Sequence, residues 1–313
     1  MGFKLGNNRM EIKTNSLTIV IPAFNEAEGL SINLPDVLEF CKAHRWKLII
    51  VNDGSTDNTQ EILQKFESQP RLSVIHHKIN RGYGGALKTG LMAVETDYAI
   101  TIDADGQHQL SDIEKLLDLM MEKDADMIVG SRVGSKQNHW YRELGKWIIR
   151  RVAAMMMPMP LKDLNSGFKL YRTELVKRYI PLCPNSMAFS DVITLIFLNE
   201  HHKVLEAPIE IHPRRSGKSK INTRTAFETV LEIINLVMLL APLRFFLPAS
   251  IICFLIGFAW GIPLIISGRG VSVGSMLAIV TALIFFTLGL VSEQLSQLRK
   301  ELLISHKETK KNI

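Results

Sequence analysis

The sequence predicts an α/β fold, a mostly parallel sheet covered by helices, followed by two membrane-spanning helices. Three observations predict it. Between residues 17 and 132, short apolar runs alternate with segments of helical spacing, the pattern of strand–helix–strand units. Three of the predicted strands run into turns rich in carboxylates and amides. From 245 to 292 the one charged side chain is Arg269.

Strands are expected at 17–23, 48–53, 72–77, 98–103 and 127–131, each a β-branched or apolar run bounded by turn residues. Helices are expected at 26–43, 57–68, 85–94 and 112–123, with Pro35 a threat to the continuity of the first because it lacks an N–H. Farther on, Phe227, Val230, Leu231, Ile234, Val237 and Met238 recur at helical spacing with Glu228, Glu232 and Asn235 on another face. This amphipathic helix, 225–241, either packs on the soluble domain or lies in the headgroup plane.

Residues 245–268 and 270–292 are uncharged, and at about 1.5 Å per residue each run crosses a hydrocarbon core of about 30 Å. Two spanning helices, about 245–267 and 271–292, are therefore expected within 242–295, with the Gly268-Arg269-Gly270 break as the far loop. Arg244 precedes the pair, and Arg299, Lys300, Lys307, Lys310 and Lys311 follow it. Positive-inside bias then places the 1–224 domain, the basic 296–313 tail and both termini in the cytosol. The first twenty residues carry no basic-then-apolar leader.

Composition narrows the functional classes. With 47% hydrophobic residues and a net charge of +6, the chain is not a disordered one. Cys41, Cys183 and Cys253 are far apart without CxxC spacing, which argues against a zinc knuckle, a redox pair or a disulfide framework and fits a reducing compartment. His76, His77, His201 and His202 form no HxxxH pair and are read as structural or surface residues.

Ligands of an open parallel sheet bind beyond the carboxyl ends of its strands. There the chain places Pro22-Ala-Phe-Asn-Glu26, Val51-Asn-Asp-Gly-Ser-Thr-Asp57 and Asp103-Ala-Asp-Gly-Gln-His108. Asp103 and Asp105 alternate at a strand end, so with the Gln107 carbonyl they can converge on one hard cation, Mg²⁺ or Mn²⁺. The competing reading is a turn in which Asp105-Gly106 supplies only φ > 0; the other rim residues favour the metal. Asp53 is placed to accept from a nucleobase or ribose. Glu26 is either a ligand or a first-turn carboxylate. Asp57, with Gln60, reads as a helix cap. Glycine-rich Asn80–Gly90 matches neither GxGxxG nor a P-loop, since Lys88-Thr89 precedes its last glycine; it reads as a close-packed loop and helix start.

In order, these three segments together with Ser166-Gly-Phe-Lys-Leu-Tyr171 and Arg214-Arg-Ser-Gly-Lys-Ser-Lys220 resemble family 2 glycosyltransferases of GT-A fold. Within them the chain is similar to the dolichyl-phosphate mannose synthases and related polyprenyl-phosphate glycosyltransferases, over about residues 17–222. The resemblance implies a nucleotide-sugar donor (GDP-mannose or a UDP-sugar), a divalent metal and a polyprenyl or dolichyl phosphate acceptor. It implies that Pro22, Phe24, Glu26, Val51 and Asp53 line the nucleoside pocket and that Asp103 and Ala104 border the ribose and diphosphate. It implies that Asp105 and Gln107 hold the metal with Asp103, and that Arg132, Arg214 and Lys220 hold phosphates, Asp105 and Arg132 being the catalytic pair. Asn52 departs from the family, which often has a second Asp there.

Lys203–Arg224 carries six Lys/Arg against Glu206 and Glu210, which also suits a juxtamembrane patch on anionic lipid. Nucleic acid is a poorer partner, because aromatic residues for stacking are scarce in that segment. A processive polysaccharide synthase would resemble Q-x-x-R-W, which is missing. A noncatalytic nucleotide-sugar-binding adaptor would have lost the metal ligands, which are intact.

Overall fold

The structure, a computed structural model, describes residues 17–131, 161–210 except 162 and 165, 238, and 241–311, with side chains as far as Leu298. It divides into two units, one containing the sheet and the other the C-terminal helices.

In the first unit the strands are β1 (Leu17–Ala23), β2 (Lys47–Asn52), β3 (Leu72–His76), β4 (Tyr98–Thr101), β5 (Met127–Ser131), β6 (Lys169–Arg172) and β7 (Val204–Pro208). The helices are α1 (Ala27–His44), α2 (Thr59–Gln64), α3 (Tyr83–Ala93), α4 (Ser111–Lys123), α5 (Thr173–Tyr179) and α6 (Phe189–Asn199). One sheet runs β3-β2-β1-β4-β6-β5-β7. β6 is antiparallel to both neighbours, and the remaining pairings are parallel. From β1 the chain winds outward through β2 and β3, then returns to lay β4 on the other side. The order therefore reverses between β1 and β4, and the crevice beyond their carboxyl ends is where an open sheet binds ligands.

β1 is buried along its whole length, as a strand covered on both faces must be. On one face Leu30, Leu34 and Val37 of α1 and Ile113, Leu116 and Met120 of α4 close over Ile19, Ile21, Ile50, Ile100 and Ile128. On the other face α3 presses onto the sheet at Gly90, where a Cβ would meet Val20 Cγ1 at 2.5 Å and Val51 Cγ2 at 3.1 Å. Pro35 does not break α1. Both it and Ser31, whose carbonyl loses its donor, are exposed, so the helix tolerates the missing bond at its solvent face.

The second unit holds α7 (Leu243–Ile266) and α8 (Val273–Lys311), antiparallel partners joined by a loop in which Gly268 and Gly270 have φ of 73° and 78°. α8 does not stop near 292. It runs on through Glu293–Lys311, a stretch rich in Glu, Gln, Leu and Lys and without Gly or Pro that favours continued helix. The seam between the helices is small and polar: Ser275 Oγ donates to the Gly257 carbonyl (2.6 Å) and Ser250 Oγ to that of Ala282 (2.8 Å). Glu293 accepts from the Leu243 N–H, covering the start of α7. The large apolar side chains, among them Ile252, Leu255, Trp260, Leu277 and Leu283, stay exposed. A core helix of a soluble protein would bury them, so the pair fits a membrane hairpin.

The close seam yields a stability prediction. A Cβ on Gly261 would lie 2.3 Å from Ser275 Oγ, whereas one on Gly274 meets nothing nearer than 3.6 Å. Gly261→Ala is expected to destabilise the detergent-solubilised protein by about 1–3 kcal/mol, the usual penalty of overpacking, and Gly274→Ala to leave its thermal midpoint nearly unchanged. Equal midpoints for the two variants would contradict the packing.

Candidate active site

The β1–α1 and β2–α2 loops are stitched together at the sheet's carboxyl rim. Asn25 adopts φ 55°, a left-handed conformation that Asn tolerates. Its N–H donates to Ser55 Oγ (3.0 Å), and its Oδ1 accepts from the Thr56 N–H (2.8 Å). Asp57 does not form the expected capping box with Gln60. Its Oδ1 accepts from the Thr59 N–H and hydroxyl, and its Oδ2 from the Ala27 N–H at the start of α1. Burial pushes this carboxyl up, but the hydrogen bonds from Thr59 and Ala27 outweigh it and hold Asp57 below the ordinary carboxylate range. Asn52 turns its amide to both uses: the NH₂ donates to His76 Nδ1 and Oδ1 accepts from the Ser55 N–H. A carboxylate could not donate.

Asp53 lies at the end of β2 and is 2% exposed. Its Oδ1 accepts from His77 Nδ1 (2.6 Å) and from the Arg81 N–H (2.9 Å), and His77 Nε2 lies 2.9 Å from Thr89 Oγ1. One oxygen is thus committed inside the protein, and only Oδ2 is left for a ligand. Pro22 and Val51 are buried in β1 and β2, and Val51 turns its side chain onto α3. Phe24 and Glu26 are half-buried at the start of α1, the Glu26 N–H donating to Thr59 Oγ1 (3.0 Å).

Beyond β4 the chain alternates faces. Ala104 enters the core under α1 and α4, whereas Asp103 turns to the α3 side, where its Oδ1 accepts from the Tyr83 hydroxyl (3.0 Å). Asp103 keeps 37% of its side chain exposed; Asp105 is 9% exposed, and its Oδ1 accepts from the Gln107 N–H (3.2 Å). The Asp105–Gln107 turn of the competing reading therefore exists, and it occupies one oxygen of Asp105. His108 stacks on Phe168 at 4.7 Å with Nε2 3.7 Å from Asp103 Oδ2, too long for a hydrogen bond. Among the described residues no group of three His, Cys, Asp or Glu could hold a metal. Two carboxylates and an amide nevertheless make a hard-oxygen set that suits Mg²⁺ or Mn²⁺ when phosphates complete the coordination. Arg132, Arg214, Lys220 and nearly all of the 225–241 segment lie outside the described residues.

The glycine-rich segment is close-packed. Gly84 N–H donates to the Ser186 carbonyl and Gly85 N–H to that of Asn185, so amides at the start of α3 are taken by protein carbonyls instead of being offered to phosphate. Tyr83 and His77 are site residues that sequence reasoning missed, since each is defined by a partner 20 or 24 positions away. Lys169 was missed as well. Fully buried, it gives its ammonium to the carbonyls of Leu164 and Ser190 and to Thr194 Oγ1, tying the segment before β6 to α6. Cys41 and Cys183 are buried thiols pushed up to about 12 mainly by desolvation, too high for a reactive thiolate.

The comparisons with known proteins agree with this architecture. The sequence model described as Glycosyl transferase family 2 matches residues 18–180, and that described as GtrB C-terminal hairpin matches 241–298. A dolichol-phosphate mannosyltransferase of Pyrococcus furiosus is 29% identical over 70% of this chain and 63% of its own length. An undecaprenyl-phosphate 4-deoxy-4-formamido-L-arabinose transferase of Edwardsiella ictaluri is 25% identical over 80% and 76%. The crystal structure of glucosyl-3-phosphoglycerate synthase from Mycobacterium tuberculosis with Mn²⁺, uridine diphosphate and phosphoglyceric acid superimposes with a TM-score of 0.56 at 16% identity, covering 71% of this chain and 77% of that one. The fold is shared.

Proposed function

The chain belongs to glycosyl transferase family 2, and from that membership we propose that it moves one hexose from a nucleotide diphosphate sugar to a polyprenyl or dolichyl phosphate, with inversion, at the cytosolic face of a membrane. The observation that supports this most is the union in one chain of the carboxylate-bearing rim with an apolar C-terminal hairpin. A lipid acceptor keeps its tail in the bilayer and offers only its head, so a tethered catalytic domain meets it without extracting it.

The acceptor explains the sparse acid–base equipment. A phosphate monoester has a second pKa of about 6 and is largely ionised near neutrality, so it can attack without a strong general base. The harder event is departure of the nucleoside diphosphate. Asp103, Asp105 and Gln107 would hold Mg²⁺ or Mn²⁺, which supplies countercharge to that leaving group. Phe24, Glu26 and Asp53 Oδ2 would orient the nucleoside, and Arg132, Arg214 and Lys220 the phosphates. Mannose is the sugar proposed, on the likeness to the Pyrococcus furiosus protein. A UDP-sugar is the second reading, because the Edwardsiella ictaluri relative, matched over more of the chain, is named for a different sugar.

The test is a panel of radiolabelled nucleotide sugars given to purified protein with Mg²⁺ or Mn²⁺ and polyprenyl phosphate. Label should pass to the lipid phase from GDP-mannose; transfer from a UDP-sugar alone selects the second reading, and no transfer from any donor refutes the function. For orientation, tags at Met1 and Ile313 are both expected to resist protease in sealed right-side-out vesicles.

A further inference from the structure

We propose that Tyr83 is a positioning residue whose hydroxyl holds the Asp103 carboxylate in the orientation that receives the divalent metal. This rests on the metal-dependent transfer proposed above and gives the glycine-rich segment a purpose. Its spacing and its occupied amides exclude a phosphate cradle; what it builds instead is a fixed seat for one phenol. At Gly82 a Cβ would lie 2.5 Å from the Asn185 carbonyl oxygen, and at Gly84 2.5 Å from that of Pro184. Only glycines on either side of Tyr83 let the 184–186 backbone come so near. With Gly90 pressing α3 onto β1 and β2, the ring has little room to drift.

The hydroxyl is directed as well as placed. The single phenolic hydrogen goes to Asp103 Oδ1 at 3.0 Å. Gly167 closes the third side: a Cβ there would stand 2.8 Å from Tyr83 Oη and 2.9 and 3.0 Å from the two Asp103 oxygens. Asp103 is thus braced by a donor and a backbone wall while part of it stays exposed. A carboxylate oriented in advance binds a cation without first giving up rotamer freedom, and removing the outer group that orients a metal ligand typically lowers metal affinity about 10–100-fold.

The test measures metal binding directly, apart from turnover. Free Mn²⁺ is followed by electron paramagnetic resonance in the full-length protein with UDP or GDP present. Tyr83→Phe keeps the ring and removes only the hydroxyl, and it should raise the Mn²⁺ dissociation constant about tenfold while leaving KM for polyprenyl phosphate unchanged. Gly167→Ala, which crowds the same carboxylate, should shift the constant in the same direction and stands in if the first variant folds poorly. Tyr179→Phe is the control: Tyr179 is also buried in the same unit, but its hydroxyl lies 2.8 Å from His202 Nε2. Mn²⁺ binding by Tyr83→Phe within twofold of the parent overturns the inference. So does an equal loss in Tyr179→Phe, which would mark general loosening. If the parent with either nucleotide binds no Mn²⁺, the metal reading itself falls and takes this inference with it.

Discussion

Asp105→Asn is expected to lower the transfer rate at least about a hundredfold while leaving the protein folded. The geometry makes this substitution discriminating. Asp105 Oδ1 accepts the Gln107 N–H within the turn, and the amide oxygen of Asn can accept the same bond, so the turn survives. What Asn removes is the negative charge that a cation needs. If Asp105 only shapes the loop, the variant should work as well as the parent. If it holds the metal that neutralises the departing diphosphate, the loss should resemble removal of a preorganised electrostatic stabiliser, about 2.7–4 kcal/mol or 10²–10³ in rate. The measurement is kcat at saturating donor and acceptor, with the thermal midpoint as the check on folding. An unchanged kcat in a folded Asp105→Asn protein would return Asp105 to the turn, and full activity of the parent in excess EDTA would remove the metal altogether.

The rim from Asp103 to Gln107 was legible in advance because its signal is local: a strand of apolar residues running into alternating carboxylates puts those carboxylates at one edge of the sheet whatever surrounds it. β1 and β5 were legible to the residue for the same reason, being continuous β-branched and apolar runs between turns. β6 was not. Its four residues include Lys169 and Arg172, and a lysine in a short segment reads as solvent-facing until the fold supplies the carbonyls of Leu164 and Ser190 and the Thr194 hydroxyl that make its burial tolerable. Asp53 was legible as a functional position but not in its commitments, because His77 comes from β3's end and the Arg81 amide from the loop after it. The sequence pattern starts α3 at 85, two residues after its actual start, since Tyr83-Gly84-Gly85 has poor intrinsic helix propensity and is held helical by bonds to the 185–186 backbone.

Gly106→Ala is expected to impair transfer about 10–100-fold although it alters no functional group, and Asn33→Ala is expected to restore part of the loss. Gly106 sits between Asp105 and Gln107 with φ 69°, where a residue with a Cβ carries a strain of about 1–2 kcal/mol. The added methyl would also lie 2.3 Å from Asn33 Nδ2 and 2.4 Å from its Oδ1. Asn33 is buried on the inner face of α1, so either its amide rotates or the loop lifts and carries the carboxylates with it. A cavity of about 380 Å³, which Asn33 and Gly106 both line beside Leu30, Leu34 and Ala104, gives the amide some room and keeps the destabilisation in the range of about 1–3 kcal/mol usual for overpacking. Backbone strain and collision separate in a double-mutant cycle. Truncating Asn33 abolishes the collision and leaves the strain, so Gly106→Ala/Asn33→Ala should be less impaired than the two single effects added together, in both thermal stability and kcat/KM. Additivity within about 0.5 kcal/mol, the behaviour of independent sites, would show that Asn33 does not support the Asp105–Gln107 turn and that the loss comes from the backbone of Gly106 alone.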